Sequence, residues 1–272
     1  MRAYTITGGG GIQLYVDEAG NPHGRPILFI HGFLQCRLAW RKQMVSDLAN
    51  DFRLVAIDLR GHGLSEKPRN AYGDTRLWAD DIHAVISTLS LDQPVLSGWA
   101  YGGVVICDYL HVYGEDHIAG INLVGAITNL ESESAMTVVS PAFFALLPGL
   151  FSSDVEESTC ALQTFLRRCM YTEPTPADLY FFLGYNIIVP PYVRQGLLSR
   201  VAVYDDLLPR LNKPVLITHG EADTIVSLGA AEQHAAALRQ AQISFYPNVG
   251  HAPFWEDAPR FNRELRAFVE SL

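Results

Sequence analysis

Three short stretches hold the residues that could do nucleophilic chemistry, in a fixed order along the chain. GWAYGG at 98–103 is a glycine-spaced turn of the kind that presents one reactive side chain at the top of a sheet; HGEADTIV at 219–226 offers Asp223; NVGHAPFWE at 248–256 offers His251. A carboxylate can hold an imidazole in one tautomer, and that imidazole can take a proton from a nucleophile, so apex, acid and base together imply acyl transfer. The apex residue is Ala100, whose methyl has neither lone pair nor proton to give. A fourth stretch, HGF at 31–33, supplies a loop whose Phe33 N–H is expected to converge with the Tyr101 N–H as an oxyanion hole. His31 reads as a brace for that loop rather than as a base.

These residues need a rigid support, and the rest of the chain describes one. The alternating segments YTIT and IQLYV, joined by Gly8 to Gly11, read as a hairpin at a sheet edge. The apolar runs PILFI (26–30), RLVAI (53–57), PVLSG (94–98), INLVG (121–125), PVLITHG (214–220) and ISFYP (243–247) alternate with helically spaced segments at 39–49, 77–89 and 104–113 and a last helix from about Pro259. Fully apolar strands between amphipathic helices predict an α/β fold with a mostly parallel sheet covered on both faces. Ligands bind at the carboxyl ends of such strands, where all four stretches fall.

Residues 130–199 break the rhythm with helical pieces between prolines and no convincing strand. The expected organisation is therefore a core of 1–129 and 200–272 with an inserted helical lid. Ten Phe or Tyr fall between Pro141 and Tyr192, a density above the 11% aromatic content of the chain, and this suggests an apolar pocket roof. Phe143, Phe144, Phe151, Phe181, Phe182 and Tyr185 are its candidates, with Trp99 beside the apex, although many of these rings are expected to pack the lid onto the core.

Composition narrows the partners. A net charge of −9 without a run of Lys or Arg argues against nucleic acid and against an anionic membrane, and leaves a small apolar substrate. Cys36, Cys107, Cys160 and Cys169 fit no metal or redox spacing, none of the nine histidines forms a metal motif, and the N-terminus lacks the pattern of a signal peptide. The expectation is a reduced, cytoplasmic monomer or homodimer that needs no metal and no cofactor. The GGGG run lacks the strand before and the helix after that a dinucleotide loop requires.

HGF, DLRGHGLS (58–65), GWAYGG, GEAD and GHAPFWE, in that order, resemble the α/β-hydrolase superfamily, in particular its lidded esterase and cofactor-free haloperoxidase-like branch. The resemblance spans the chain outside the lid. It implies Asp223 as orienting acid, His251 as general base, and a serine where Ala100 stands, since similar proteins read GWSYGG. An engineered serine-to-alanine change is the favoured explanation because the rest of the site is intact; an aspartate nucleophile fits the flanking residues less well, and a cysteine stays open as an alternative. The implied activity is hydrolysis of carboxylic esters or lactones of apolar molecules, with the present chain inactive. A non-catalytic ligand-binding protein, and amidase, perhydrolase or lyase chemistry, remain as alternatives.

Overall fold

Eight strands form one sheet in the order β1-β2-β4-β3-β5-β6-β7-β8, in a computed structural model that describes residues 1–130 and 133–272. β1 (Arg2–Thr7) and β2 (Gln13–Gly20) are the expected edge hairpin, and β2 also runs antiparallel to β4 (Arg53–Asp58). The other pairings, through β3 (Pro26–Ile30), β5 (Val95–Trp99), β6 (Gly120–Val124), β7 (Val215–Gly220) and β8 (Ala241–Tyr246), are parallel. Every residue of β3, β5, β6 and β7 is buried. Successive side chains on a strand face opposite ways, so complete burial means that both faces are covered, which is why these runs lack polar alternation.

The long helices Thr75–Thr88, Tyr101–Tyr113 and Ala258–Glu270 lie where their apolar spacing predicts. The segment 39–49 does not form the single helix its spacing suggests. It divides into a 3-10 turn Arg37–Trp40 and two one-turn helices, Arg41–Met44 and Leu48–Asp51. Ser46 is the reason: its hydroxyl donates to the Gln43 carbonyl and accepts from the Leu48 N–H, closing one turn and starting the next. In the GGGG run the Gly9 N–H donates to Asp81, which also receives two hydrogen bonds from the buried Arg60. Its role is to join the hairpin to the helix Thr75–Thr88.

Between β6 and β7 the described residues form helices and no strand of the sheet, among them Val155–Arg168, Pro176–Ile187 and Pro191–Leu198. The two ends of this insertion meet in a short antiparallel bridge, where the Leu130 N–H donates to the Ala202 carbonyl. Its return is anchored by Arg200, fully buried, which grips Asp108 through both terminal nitrogens at 3.0 and 2.8 Å and donates to the Tyr101 hydroxyl at 2.6 Å. Among the described residues no helix is long and apolar enough to cross a membrane, and all four cysteines are free.

Candidate active site

The turn at 98–103 is strained at its apex. Ala100 has φ 50° and ψ −113°, a combination an L-residue adopts at a cost of about 1–3 kcal/mol, and it starts the helix Tyr101–Tyr113. Surrounding contacts hold it there: its N–H donates to the Val124 carbonyl, and its own carbonyl accepts from Gly103 and Ile127. The glycines are needed for close approach. A Cβ at Gly102 would lie 2.5 Å from the Ile30 carbonyl oxygen, and one at Gly98 would lie 2.6 Å from Ile106 and 2.8 Å from the Gly102 backbone. The elbow is thus wedged between β3 and β6, with the Ala100 methyl turned into a cavity.

Asp223 and His251 come from the loops after β7 and β8. His251 Nδ1 lies 2.6 Å from Asp223 Oδ2. A carboxylate only accepts, so Nδ1 carries the proton and Nε2 is left as the lone-pair nitrogen. Asp223 Oδ1 accepts from the Ile225 and Val226 N–H groups at 2.8 and 3.0 Å. Burial acts to raise the Asp223 pKa, but the charges and side-chain hydrogen bonds of the neighbouring His251 and His219 outweigh it and hold the carboxyl well below its usual range. The Trp99 indole N–H donates to the His251 carbonyl at 2.8 Å, so the residue beside the apex also fixes the base.

Neither the Phe33 nor the Tyr101 N–H has a partner among the described residues. Phe33 and Tyr101 both line the cavity that Ala100 and His251 enter. The HGF loop is braced by His31, whose Nε2 accepts from the Leu59 N–H at 3.0 Å and whose Nδ1 therefore donates to the Gly32 carbonyl at 2.8 Å. Burial pushes the His31 pKa well down, so this ring is a neutral strut.

The shared cavity measures about 280 Å³. Its walls are Trp99, Ile127, Leu130, Val139, Phe143, Phe144, Leu147, Phe165, Leu198, Ile225 and Val226, with Gln35 and Asn129 as polar side chains among them. Phe33, Phe143 and Phe165 meet edge to face or tilted, with centroids 5.8 to 6.4 Å apart. An uncharged, largely apolar wall disfavours ions and favours a small neutral ligand.

Residues 25–258 match the family described as alpha/beta hydrolase fold. The chain belongs to that family. An esterase from Rhodococcus sp. ECU1013 superposes with a TM-score of 0.95 at 36% identity, covering 100% of both chains. A bifunctional esterase/perhydrolase from Acinetobacter calcoaceticus is 28% identical over 98% of this chain and 99% of its own. A non-heme haloperoxidase from Rhodococcus erythropolis is 26% identical over 98% and 99%. This α/β-hydrolase thus has esterases and haloperoxidases as full-length relatives.

The cavity brings together Ala100, His251, Phe33, Tyr101, Trp99, Phe143 and Phe144 from the expected set, with Asp223 directly behind His251. Phe151, Phe181, Phe182 and Tyr185, which the aromatic density of the insertion offers as roof candidates, do not line it. Phe181 and Phe182 pack on Trp255 at 6.0 and 4.7 Å, and Tyr185 packs on both of them, which seats the helix Pro176–Ile187 on the core. Phe151 ends the short helix Leu147–Phe151 and is partly buried against the core. Asp58, which the sequence also brings to a strand end, is tied to Arg37 and the Leu64 N–H and stays out of the cavity. Most of the other wall residues, Phe165 among them, and Glu256 beside the His251 loop escaped sequence reasoning. Phe165 sits on the apolar face of an amphipathic helix, where nothing local separates a wall residue from a core residue. Glu256 belongs to a quoted motif, yet its partners come from the distant residues 171 and 172.

Proposed function

We propose that this is the site of a serine ester hydrolase for carboxylic esters or lactones of small apolar, including aromatic, molecules, with alanine standing at the nucleophile. The observation that carries this reading is the 2.6 Å contact between His251 Nδ1 and Asp223 Oδ2, behind a cavity that the Ala100 methyl also enters. With a serine at position 100, His251 Nε2 takes the hydroxyl proton as the oxygen attacks the ester carbonyl. The resulting oxyanion is received by the Phe33 and Tyr101 N–H groups; losing one such donor costs about 2.7–4 kcal/mol in other hydrolases. His251 then protonates the leaving alcohol, and water, deprotonated by the same nitrogen, releases the acid. Asp223 keeps the imidazole in the required tautomer throughout.

With the methyl in place the same cavity holds an ester without cleaving it. The intact surroundings of Ala100 favour an engineered replacement. The esterase and esterase/perhydrolase relatives support the reaction class, and the apolar walls support the substrate class. A crystal of the chain soaked with phenyl acetate is expected to show the uncleaved ester, its carbonyl oxygen within hydrogen-bond distance of both N–H groups. Cleavage by the chain as it stands, or a carbonyl directed away from those donors, would contradict the reading. The methyl at position 100 also favours a second reading, a ligand-binding protein on this scaffold; that reading predicts binding without hydrolysis even after Ala100→Ser.

A further inference from the structure

His219 is a second imidazole beside Asp223 and has no part in the mechanism above. It is the fifth residue of β7, almost wholly buried, four positions before the acid. Its Nε2 is 3.0 Å from the Val226 carbonyl oxygen. That oxygen only accepts, so Nε2 carries a proton. The same nitrogen is 3.4 Å from Asp223 Oδ2, the oxygen that receives the His251 proton. One carboxylate oxygen therefore lies near two imidazole nitrogens, that of His251 bonded at 2.6 Å and that of His219 at 3.4 Å with its N–H shared toward the Val226 carbonyl, while its twin takes two backbone N–H groups.

We propose that His219 is a positioning residue for the acid–base pair: it closes the Asp223 loop through Val226 and shares Oδ2 with His251, which sets how much of the carboxylate's charge His251 receives. This rests on the reading of His251 and Asp223 as base and acid. Two physical consequences follow from the shared oxygen. The loop 220–226 is closed on itself, because Val226 donates to Asp223 while accepting from His219, so His219 holds in place one of the two backbone donors that fix the carboxylate. In addition, each N–H on an anionic oxygen draws charge from the other, so the His219 N–H weakens the hold of Asp223 on the His251 N–H.

The other titratable groups around the pair come from separate elements. His234, from the helix Leu228–Ala237, faces His219 and is bonded to Thr128 through Nε2. Cys169 and Glu256 face Asp223 from the insertion and from the loop after β8. None of these reaches Oδ2 with a donor among the described residues, which leaves His219 as the side chain able to share it with His251.

The test uses the chain as it stands and needs no turnover. The proton between His251 Nδ1 and Asp223 Oδ2 should give a far-downfield proton resonance, assigned by its loss in Asp223→Asn. His219→Phe should move it further downfield, because Oδ2 then serves His251 alone; His219→Gln, which can offer a side-chain N–H at the Nε2 position, should keep it near the parent value. His219→Asn, whose shorter side chain withdraws the donor from Oδ2, serves in the same way if the Phe variant does not fold. In the Ala100→Ser background, His219→Phe should lower kcat on the order of ten- to a hundredfold with KM little changed, and His219→Gln should recover most of it. A folded His219→Phe variant with an unmoved resonance, or Gln and Phe variants that behave alike, would overturn the proposal. A resonance that survives Asp223→Asn would instead overturn the underlying assignment of acid and base.

Discussion

At residue 100 a β-carbon occupies backbone territory suited to glycine, with φ 50°. The surroundings that enforce it are carbonyls and close backbone contacts, which another side chain at this position would leave in place. Ala100→Gly should therefore relieve the strain and raise stability by up to about 1 kcal/mol after the entropy of glycine is subtracted, measured as a higher denaturation midpoint; a lower midpoint would mean that the apex is not strained. Asp223 makes a second residue-level prediction. Its pKa in the fold is depressed, so its contribution to stability is present above the ordinary carboxyl value of about 3.9 and is lost as pH falls through the native value. Asp223→Asn should accordingly flatten the acid limb of the stability curve, and in the Ala100→Ser background it should lower kcat by roughly 10⁴-fold through the wrong tautomer. The positions of Ala100, Asp223 and His251 were legible in the sequence because each is fixed by a local pattern at the end of a strand. Phe181, Phe182 and Tyr185 were misplaced because the composition of a helix does not say whether its rings meet a cavity or another ring.

The loops that carry His251 and Asp223 are tied to the inserted helices. Glu256 accepts from the Gly250 N–H with one oxygen and from the Tyr171 and Thr172 N–H groups with the other, at 2.7, 2.8 and 3.2 Å. The His251 N–H donates to the Cys169 carbonyl, and the Thr224 hydroxyl donates to that of Arg168. The end of the helix Val155–Arg168 thus touches both loops, so movement of the insertion moves the base. Glu256→Gln turns one acceptor into a donor facing N–H groups. Amide exchange at residues 171 and 172 should quicken and stability should fall by about 1–3 kcal/mol; unchanged exchange would mean that the latch bears no load. Opposite this latch, the Arg200–Asp108 pair ties the return of the insertion to the helix that begins at Tyr101. Removing one partner strands a buried charge, so Asp108→Ala should cost about 3–5 kcal/mol in a denaturant titration. Strands and long helices were legible in the sequence from their period. These ties were not, since the links to the insertion join residues 56 to 92 positions apart, and most of them end on backbone groups that every sequence has.

Taken whole, the molecule is a rigid sheet that holds four loops at one edge and a helical insertion that walls the space above them. The cavity of about 280 Å³ lies just below the usual range for ligand sites, which under the proposed function favours an ester the size of phenyl acetate over one with a long acyl chain. In the Ala100→Ser protein, kcat/KM should therefore fall steeply as acyl length grows, and Val139→Trp, which fills the cavity, should raise KM without moving the pH profile. The mostly parallel sheet, its edge hairpin and the family were legible across nearly the whole chain, while the size of the cavity was not, because it is set by how separate helices pack. The most direct test of the account is hydrolysis of phenyl acetate by the Ala100→Ser protein, measured beside the parent chain and beside Ala100→Ser carrying His251→Gln. The account predicts turnover in the first and none above background in the other two; equal rates in all three, or none in the first, would contradict it.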